Sequence, residues 1–162
     1  MTVKASVLFV CLGNICRSPT ADGVFRHLVS KAGLDTQIHV DSSGTIGSHA
    51  GDPPDHRMQK HAKKRGYDLS VLRGRKFVVQ DFEDFDYILA MDQDNYAHIK
   101  DMEPRDSKAL VQLMGEYYDH SDQAREVPDP YYGGADGFEQ VLDMVEKSCE
   151  GLLKRVCEDH KL

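Results

Sequence analysis

The chain has 162 residues, 40% of them hydrophobic and 29% charged, with a formal net charge of −7. That size suits one domain, residues 1–162, with a core of its own, and the acidic balance excludes nucleic acid as a main partner while leaving room for a small, locally positive pocket. The segment before residue 7 leads into an apolar run too short for a signal peptide or a membrane span, and Cys11, Cys16, Cys149 and Cys157 lack C-x-x-C spacing, so no membrane partner and free thiols in a reducing cytoplasm are expected.

Val7 to Val10 is a short continuous apolar run, the pattern of a strand buried on both faces. A helical pattern follows through Ala21, Val24, Phe25, Leu28 and Val29 and closes near Gly33, with Ser18 a candidate N-cap and Pro19 suited to the first helical position. Ile38 to Val40 predicts a second strand running into Asp41-Ser42-Ser43-Gly44. Pro53-Pro54-Asp55 opens a helix through Met58, His61 and Ala62, closed by Gly66. Tyr87 to Met91 predicts a third strand. Asp92 to Asn95 offers caps for a helix that ends before Pro104. Ala109 to Met114 predicts a fourth strand. From Gly137 to about Glu158, an apolar stripe of Phe138, Val141, Leu142, Val145, Cys149, Leu152, Leu153 and Val156 marks an amphipathic helix. Strands alternating with helices predict an α/β fold, a parallel sheet covered on both sides. Ligands bind outside the carboxyl ends of such strands, where the Cys11 loop and the segments after Val40 and Met91 lie.

The stretch Cys11-Leu12-Gly13-Asn14-Ile15-Cys16-Arg17-Ser18-Pro19 reads as strand end, anion-binding loop and helix N-terminus. Cys-x5-Arg spacing by itself says little. Cys149 and Arg155 repeat it inside the terminal helix, where six residues rise roughly 9 Å and no free amides lie between them. The first copy differs in context. Gly13 permits torsions that a side chain resists, and Asn14 tolerates the left-handed region. Successive N–H groups can then turn inward as an anion nest, joined by the positive end of the helix and the planar fork of Arg17. A cysteine in such a field is expected to be held as thiolate, the nucleophilic form. Ser18 is suited to cap the helix, to donate to the sulfur, or both. Cys16 is equally a small core residue or the partner of Cys11 in a disulfide that guards the reactive thiol against over-oxidation.

Val127-Pro128-Asp129-Pro130-Tyr131-Tyr132 precedes the last helix. Two prolines bracket Asp129 and stiffen its loop. Attack of sulfur on a phosphate ester needs a proton for the departing oxygen, and Asp129 is the candidate acid. Tyr131 and Tyr132 are candidates for an aromatic slot.

These two segments resemble the signatures of the low-molecular-weight protein tyrosine phosphatases. The similarity extends through Asp41 to Gly44, Pro53 to Asp55, Phe85 to Asp92 and the terminal helix. It implies a flavodoxin-like three-layer sandwich with a four-stranded parallel sheet, no metal, no cofactor, and a tyrosine-phosphorylated protein as substrate. It further implies that Cys11 forms a phosphocysteine, that Leu12 to Ser18 hold the phosphoryl oxygens together with Arg17, and that Asp129 acts as acid and then as base. Asn14 would brace the loop through Ser42, Ser18 would stabilise the thiolate, and Leu12, Ile15, Ser48, His49, Tyr131 and Tyr132 would border the substrate ring. Two departures stand out. Many relatives carry an aromatic residue where this chain reads Thr45 to His49. Many also place a histidine where Leu72 stands, paired with an acid near Asp22.

Three rival functions are weighed against this. Relatives that prefer phosphoarginine have a threonine in place of Ile15, whose apolar branch suits a phenyl ring better than a guanidinium. Thioredoxin-coupled arsenate reduction needs two further cysteines after the second helix, and residues 67–100 contain none. A non-catalytic phosphopeptide-binding module needs neither Cys11 nor Asp129. Oligomeric state is not legible.

Overall fold

The computed structural model describes residues 2–118, 126–131 and 133–162. Its centre is a four-stranded parallel sheet in the order β2-β1-β3-β4, built from β1 (Ala5–Cys11), β2 (Ile38–Gly44), β3 (Tyr87–Ala90) and β4 (Leu110–Leu113). The helices are α1 (Arg17–Lys31), α2 (His56–Lys64), α3 (Asp81–Asp84), α4 (Gln93–Met102) and α5 (Ala135–His160). The result is the covered parallel sheet that the alternating pattern predicted, in the flavodoxin-like form that the family resemblance implied.

Side chains alternate across a strand, so β1 feeds two cores at once. Val7, Phe9 and Cys11 join the cluster that α1, α2 and α5 cover, while Leu8 and Val10 join the cluster with Phe82, Phe85 and Ile99 on the other face. Phe9 meets Phe25 of α1 edge-on, with ring centroids 5.6 Å apart. Such fixed packing on both faces pins the strand, and so fixes where its last residue, Cys11, emerges.

Several boundaries differ from the expectation. β2 runs on to Gly44, with Ser42 and Ser43 in register with Phe9 and Val10. The hydroxyls of these serines break the apolar alternation, which hides the strand in the sequence. α1 begins at Arg17, with Cys16 at the N-cap position and no side-chain cap; Ser18 and Pro19 sit inside the first turn. Pro19 is tolerated there because first-turn N–H groups have no intrahelical partner. Short helix α3 carries no periodicity long enough to predict. The terminal helix extends two residues beyond the expected Gly137 and Glu158 at each end.

In the order 2-1-3-4 the chain winds outward from β1 in one direction and then, from β3, in the other. The crevice of such a sheet lies at the carboxyl ends of β1 and β3. Cys11 and the Met91-Asp92 segment meet there.

Candidate active site

The loop after β1 is held open by its own side chains. Asn14 adopts φ 58°, the left-handed turn. Its amide is fully used: Nδ2 donates to Ser18 Oγ at 2.7 Å and Ser42 Oγ at 3.0 Å, and Oδ1 accepts from Arg75 N at 3.0 Å. Those bonds fix the amide orientation and stabilise an otherwise costly backbone. Gly13 does not supply the left-handed turn. Its missing side chain instead admits the His49 ring, which a Cβ would meet at 3.2 Å. Gly44 of β2 is required more strictly, since a Cβ there would stand 2.8 Å from the Leu12 carbonyl oxygen. Thr45 and Ile46 donate N–H groups to the carbonyls of Cys11 and Leu12 at 2.9 and 3.1 Å. With its carbonyls engaged outward, the loop keeps N–H groups for a ligand: among the described residues none receives a hydrogen bond from the N–H groups of residues 13–16.

Ser18 Oγ lies 3.0 Å from Cys11 Sγ and 3.3 Å from the Ser43 carbonyl. Because Asn14 donates to this oxygen, the serine hydrogen is free to point to the Ser43 carbonyl or to the sulfur, and the sulfur accepts it when Cys11 is a thiolate. Ser18 is not the N-cap: its hydroxyl is engaged by Asn14, the Cys11 sulfur and the Ser43 carbonyl and not by helix amides. Cys16, also buried, is a thiol of a different kind. Burial pushes it up to about 12, with Asp55, Cys11 and Asp129 adding to the rise.

Arg17 is 3% exposed, and its Nη1 donates to Asp92 Oδ2 at 2.6 Å and the Val127 carbonyl at 3.1 Å. Its Nη2 stands 3.8 Å from Asp129 Oδ2. Burial disfavours the guanidinium charge, but Cys11, Asp92 and Asp129 outweigh it and hold the arginine above its ordinary range. Asp92 serves twice, since its Oδ1 also caps α4 by accepting from Asn95 N at 2.8 Å. The acid loop is moored by Val127, whose N–H donates to the Met91 carbonyl at 2.8 Å. Beyond it, Asp129 Oδ1 accepts from Tyr131 N at 3.0 Å.

These elements enclose a cleft of about 220 Å³ lined by Cys11, Leu12, Gly13, Ile15, Cys16, Arg17, Ile46, His49, Asp129 and Tyr131. Most of the expected site residues therefore converge. Ser48 does not. The turn closed by Ala50 N to the Gly47 carbonyl at 3.1 Å leaves Ser48 exposed, and Ile46 and His49 form that wall instead. The His49 ring, paired with Asp52 at 3.2 Å, occupies the side where an aromatic hydrocarbon was missed. Tyr132 lies outside the described residues.

Sequence reasoning missed Ile46, the Arg17 partners Asp92 and Val127, and Arg75. A signal existed for Asp92, which directly follows a strand predicted to end at the same sheet edge. None existed for Val127 or Arg75, whose contribution is made by backbone groups. With Leu72 in the place of a histidine, Asp22 is held by another partner. Leu72 packs, partly buried, against the core, and buried Asp22 accepts from Arg26 Nε at 2.5 Å, while Arg26 Nη2 donates to the Val40 carbonyl at 2.7 Å. Burial raises the Asp22 carboxyl above its ordinary range despite that pair.

A strand-borne thiol under a ring of amides, a buried guanidinium and a facing carboxyl can bind a phosphoryl group and transfer it to sulfur. Comparison with known proteins agrees. The family model for low molecular weight phosphotyrosine protein phosphatases matches residues 6–162. The low molecular weight phosphotyrosine protein phosphatase of Schizosaccharomyces pombe is 45% identical, over 96% of this chain and 99% of its own length. A solved protein tyrosine phosphatase from Entamoeba histolytica, with Hepes in its active site, is 42% identical and superposes with a TM-score of 0.89 over 98% of this chain and 99% of that one. A solved Drosophila arginine phosphatase is 36% identical, with a TM-score of 0.86 over 93% of this chain and 96% of that one.

Proposed function

The chain belongs to the low molecular weight phosphotyrosine protein phosphatases, cysteine-dependent hydrolases of phosphotyrosine, and from that premise we propose how its own residues divide the reaction. Cys11 attacks the phosphorus as thiolate. The S–P bond forms as the P–O bond to the phenol breaks, and Asp129 gives its proton to the departing phenolic oxygen. Asp129, now a carboxylate, takes a proton from water. The water oxygen bonds to phosphorus, the S–P bond breaks, and the thiolate returns as phosphate leaves. Arg17 and the N–H groups of residues 12–18 hold the equatorial oxygens throughout. Ser18 donates to the sulfur anion, and Asn14 and Ser42 hold the turn that aims the amides. The observation that carries this reading is the convergence of Cys11, Arg17 and Asp129 on one cleft.

The substrate reading favours phosphotyrosine over phosphoarginine because Ile15, Ile46, Leu12 and Tyr131 give the cleft an apolar rim. Parallel turnover of phosphotyrosine, phosphoarginine and phosphoserine peptides, with Cys11→Ser and Asp129→Ala as controls, tests it. Phosphotyrosine turning over fastest, and both controls failing, is the expected result. Dominant phosphoarginine turnover overturns the substrate reading, and an active Cys11→Ser overturns the mechanism. A phosphopeptide-binding module is disfavoured because the cleft holds both a thiol and a carboxyl that binding does not need. A tyrosine-phosphorylated protein is the proposed partner. The cytoplasm is the proposed location, on four cysteines that are all free; no described helix is long and apolar enough to cross a membrane. Cys11 and Cys16 are the proposed redox pair: peroxide oxidises the Cys11 thiolate to a sulfenic acid, and the Cys16 sulfur then closes the disulfide as water leaves, a step slowed at neutral pH because Cys16 is held as the thiol.

A further inference from the structure

The nucleophile loop and the acid loop come from opposite ends of the chain, yet one arginine outside the cleft lining ties them together. Asp55, at the N-cap of α2, donates its N–H to the carbonyl of Ile15 in the nucleophile loop at 2.8 Å. Its carboxylate accepts from Arg57 N at 2.8 Å, Arg57 Nε at 3.2 Å and Arg57 Nη2 at 3.0 Å. The same Nη2 donates to the Tyr131 carbonyl at 3.3 Å. The guanidinium carbon lies 5.3 Å from the Tyr131 ring centroid and 5.0 Å from that of Phe138. Phe138 is held in turn by the stacked ring of His61. On the far side of Tyr131, its N–H donates to Asp129 Oδ1. The chain of contacts therefore runs from Ile15 through Asp55, Arg57 and Tyr131 to Asp129.

We propose that Arg57 is a positioning residue that sets Asp129 over the leaving oxygen by clamping Tyr131 of the acid loop to the Asp55 support of the nucleophile loop. It touches neither sulfur nor phosphate. The physical reason to expect an effect is that Asp129 has few other holds among the described residues: its side chain is 38% exposed, and two of its neighbours are rigid prolines that transmit a shift rather than absorb it. Displacing a catalytic group by about 1 Å can lower a rate on the order of 10²-fold. Arginine suits the task because its planar fork serves a carboxylate and a carbonyl at once and stacks on rings, which a lysine ammonium does not.

The inference rests on Asp129 being the proton donor, so its test carries an Asp129→Asn control. The readout is kcat/KM for aryl phosphates whose leaving phenols increase in basicity, because a misplaced acid matters most for the most basic phenol. Arg57→Met keeps the stem against Phe138 and Tyr131 and removes the fork; Arg57→Lys keeps the charge. We expect Arg57→Met to fall about threefold on para-nitrophenyl phosphate and about 30-fold on phenyl phosphate, with Asp129→Asn steeper still and Arg57→Lys between Met and wild type. An equal loss across the series, or no loss, for Arg57→Met beside a steepened Asp129→Asn overturns the clamp alone. A flat Asp129→Asn series overturns the assignment of the acid and the clamp with it. Circular dichroism and urea midpoints of both Arg57 variants exclude misfolding, and a misfolded Met variant leaves the Lys series to decide by the same criterion.

Discussion

The chain spells Cys-x5-Arg twice, and the two copies share almost nothing else. Cys11 ends a strand and Arg17 opens a helix, so the residues between them form a turn whose amides point at one place. Cys149 and Arg155 lie within α5. Cys149 is fully buried, its sulfur 3.8 Å from the Ala21 carbonyl, and burial raises it well above the ordinary thiol range. Arg155 faces outward to Asp159 at 2.9 Å. The same residue types at the same spacing make a reactive centre in one context and core plus surface in the other. What differs is backbone: whether N–H groups are spent on a helix or left for an anion.

Four predictions break or sharpen that contrast. Cys11→Ser is expected to lower turnover at least about 10⁴-fold, whereas Cys149→Ser keeps turnover and instead loses about 1 kcal/mol or more of unfolding free energy, read from urea titration, because a hydroxyl replaces a buried thiol. Arg17→Lys keeps a charge but loses the fork, and kcat/KM on a phosphotyrosine peptide should fall about 10²–10³-fold. Arg155→Lys at a half-exposed pair should change stability by less than about 0.5 kcal/mol and activity not at all.

A third prediction concerns the support beneath the first copy. Burial works against the Asp55 charge, but the Arg57 side chain and the N–H groups of Arg57 and Met58 outweigh it and hold the carboxyl below the ordinary aspartate range. A lowered carboxyl adds stability that is complete above its unfolded value and is lost as pH falls through the folded one. Asp55→Ala should therefore cost about 1 kcal/mol at neutral pH, as loss of a helix cap does, with the cost shrinking as pH falls below the ordinary aspartate range. A cost that persists in acid would place the effect outside the carboxylate. The smallest effect is chemical. With Cys16 pushed up to about 12, its neutral thiol persists through the ordinary working range. Iodoacetamide at neutral pH should leave positions 16 and 149 unlabelled, and labelling at 16 should grow only as the solution approaches that value.

The apolar runs made β1, β3 and the long terminal helix readable, because burial on both sheet faces or along one helical stripe leaves a period in the residues. β2 beyond Val40 was not readable, since Ser42 and Ser43 carry hydroxyls where a buried strand ordinarily carries branched carbons. Within the site, Cys11, Asn14, Arg17 and Asp129 could be found because each acts through its own side chain. The Ser48 expectation failed because one tight turn after Gly47 decides which residue faces the cleft, and neighbouring polar residues carry no trace of that decision. Arg57 was missed for a related reason: it acts through a carbonyl and two rings that only folding brings within reach.

The account rests on sulfur at position 11 carrying the phosphoryl group. Rapid acid quench of the enzyme during turnover of an aryl phosphate, followed by peptide mass mapping, tests this directly. The account predicts one phosphoryl group on Cys11, formed in step with a burst of phenol equal to the enzyme present. Phenol released with no enzyme-bound phosphate, or phosphate mapped to any other residue, would contradict it.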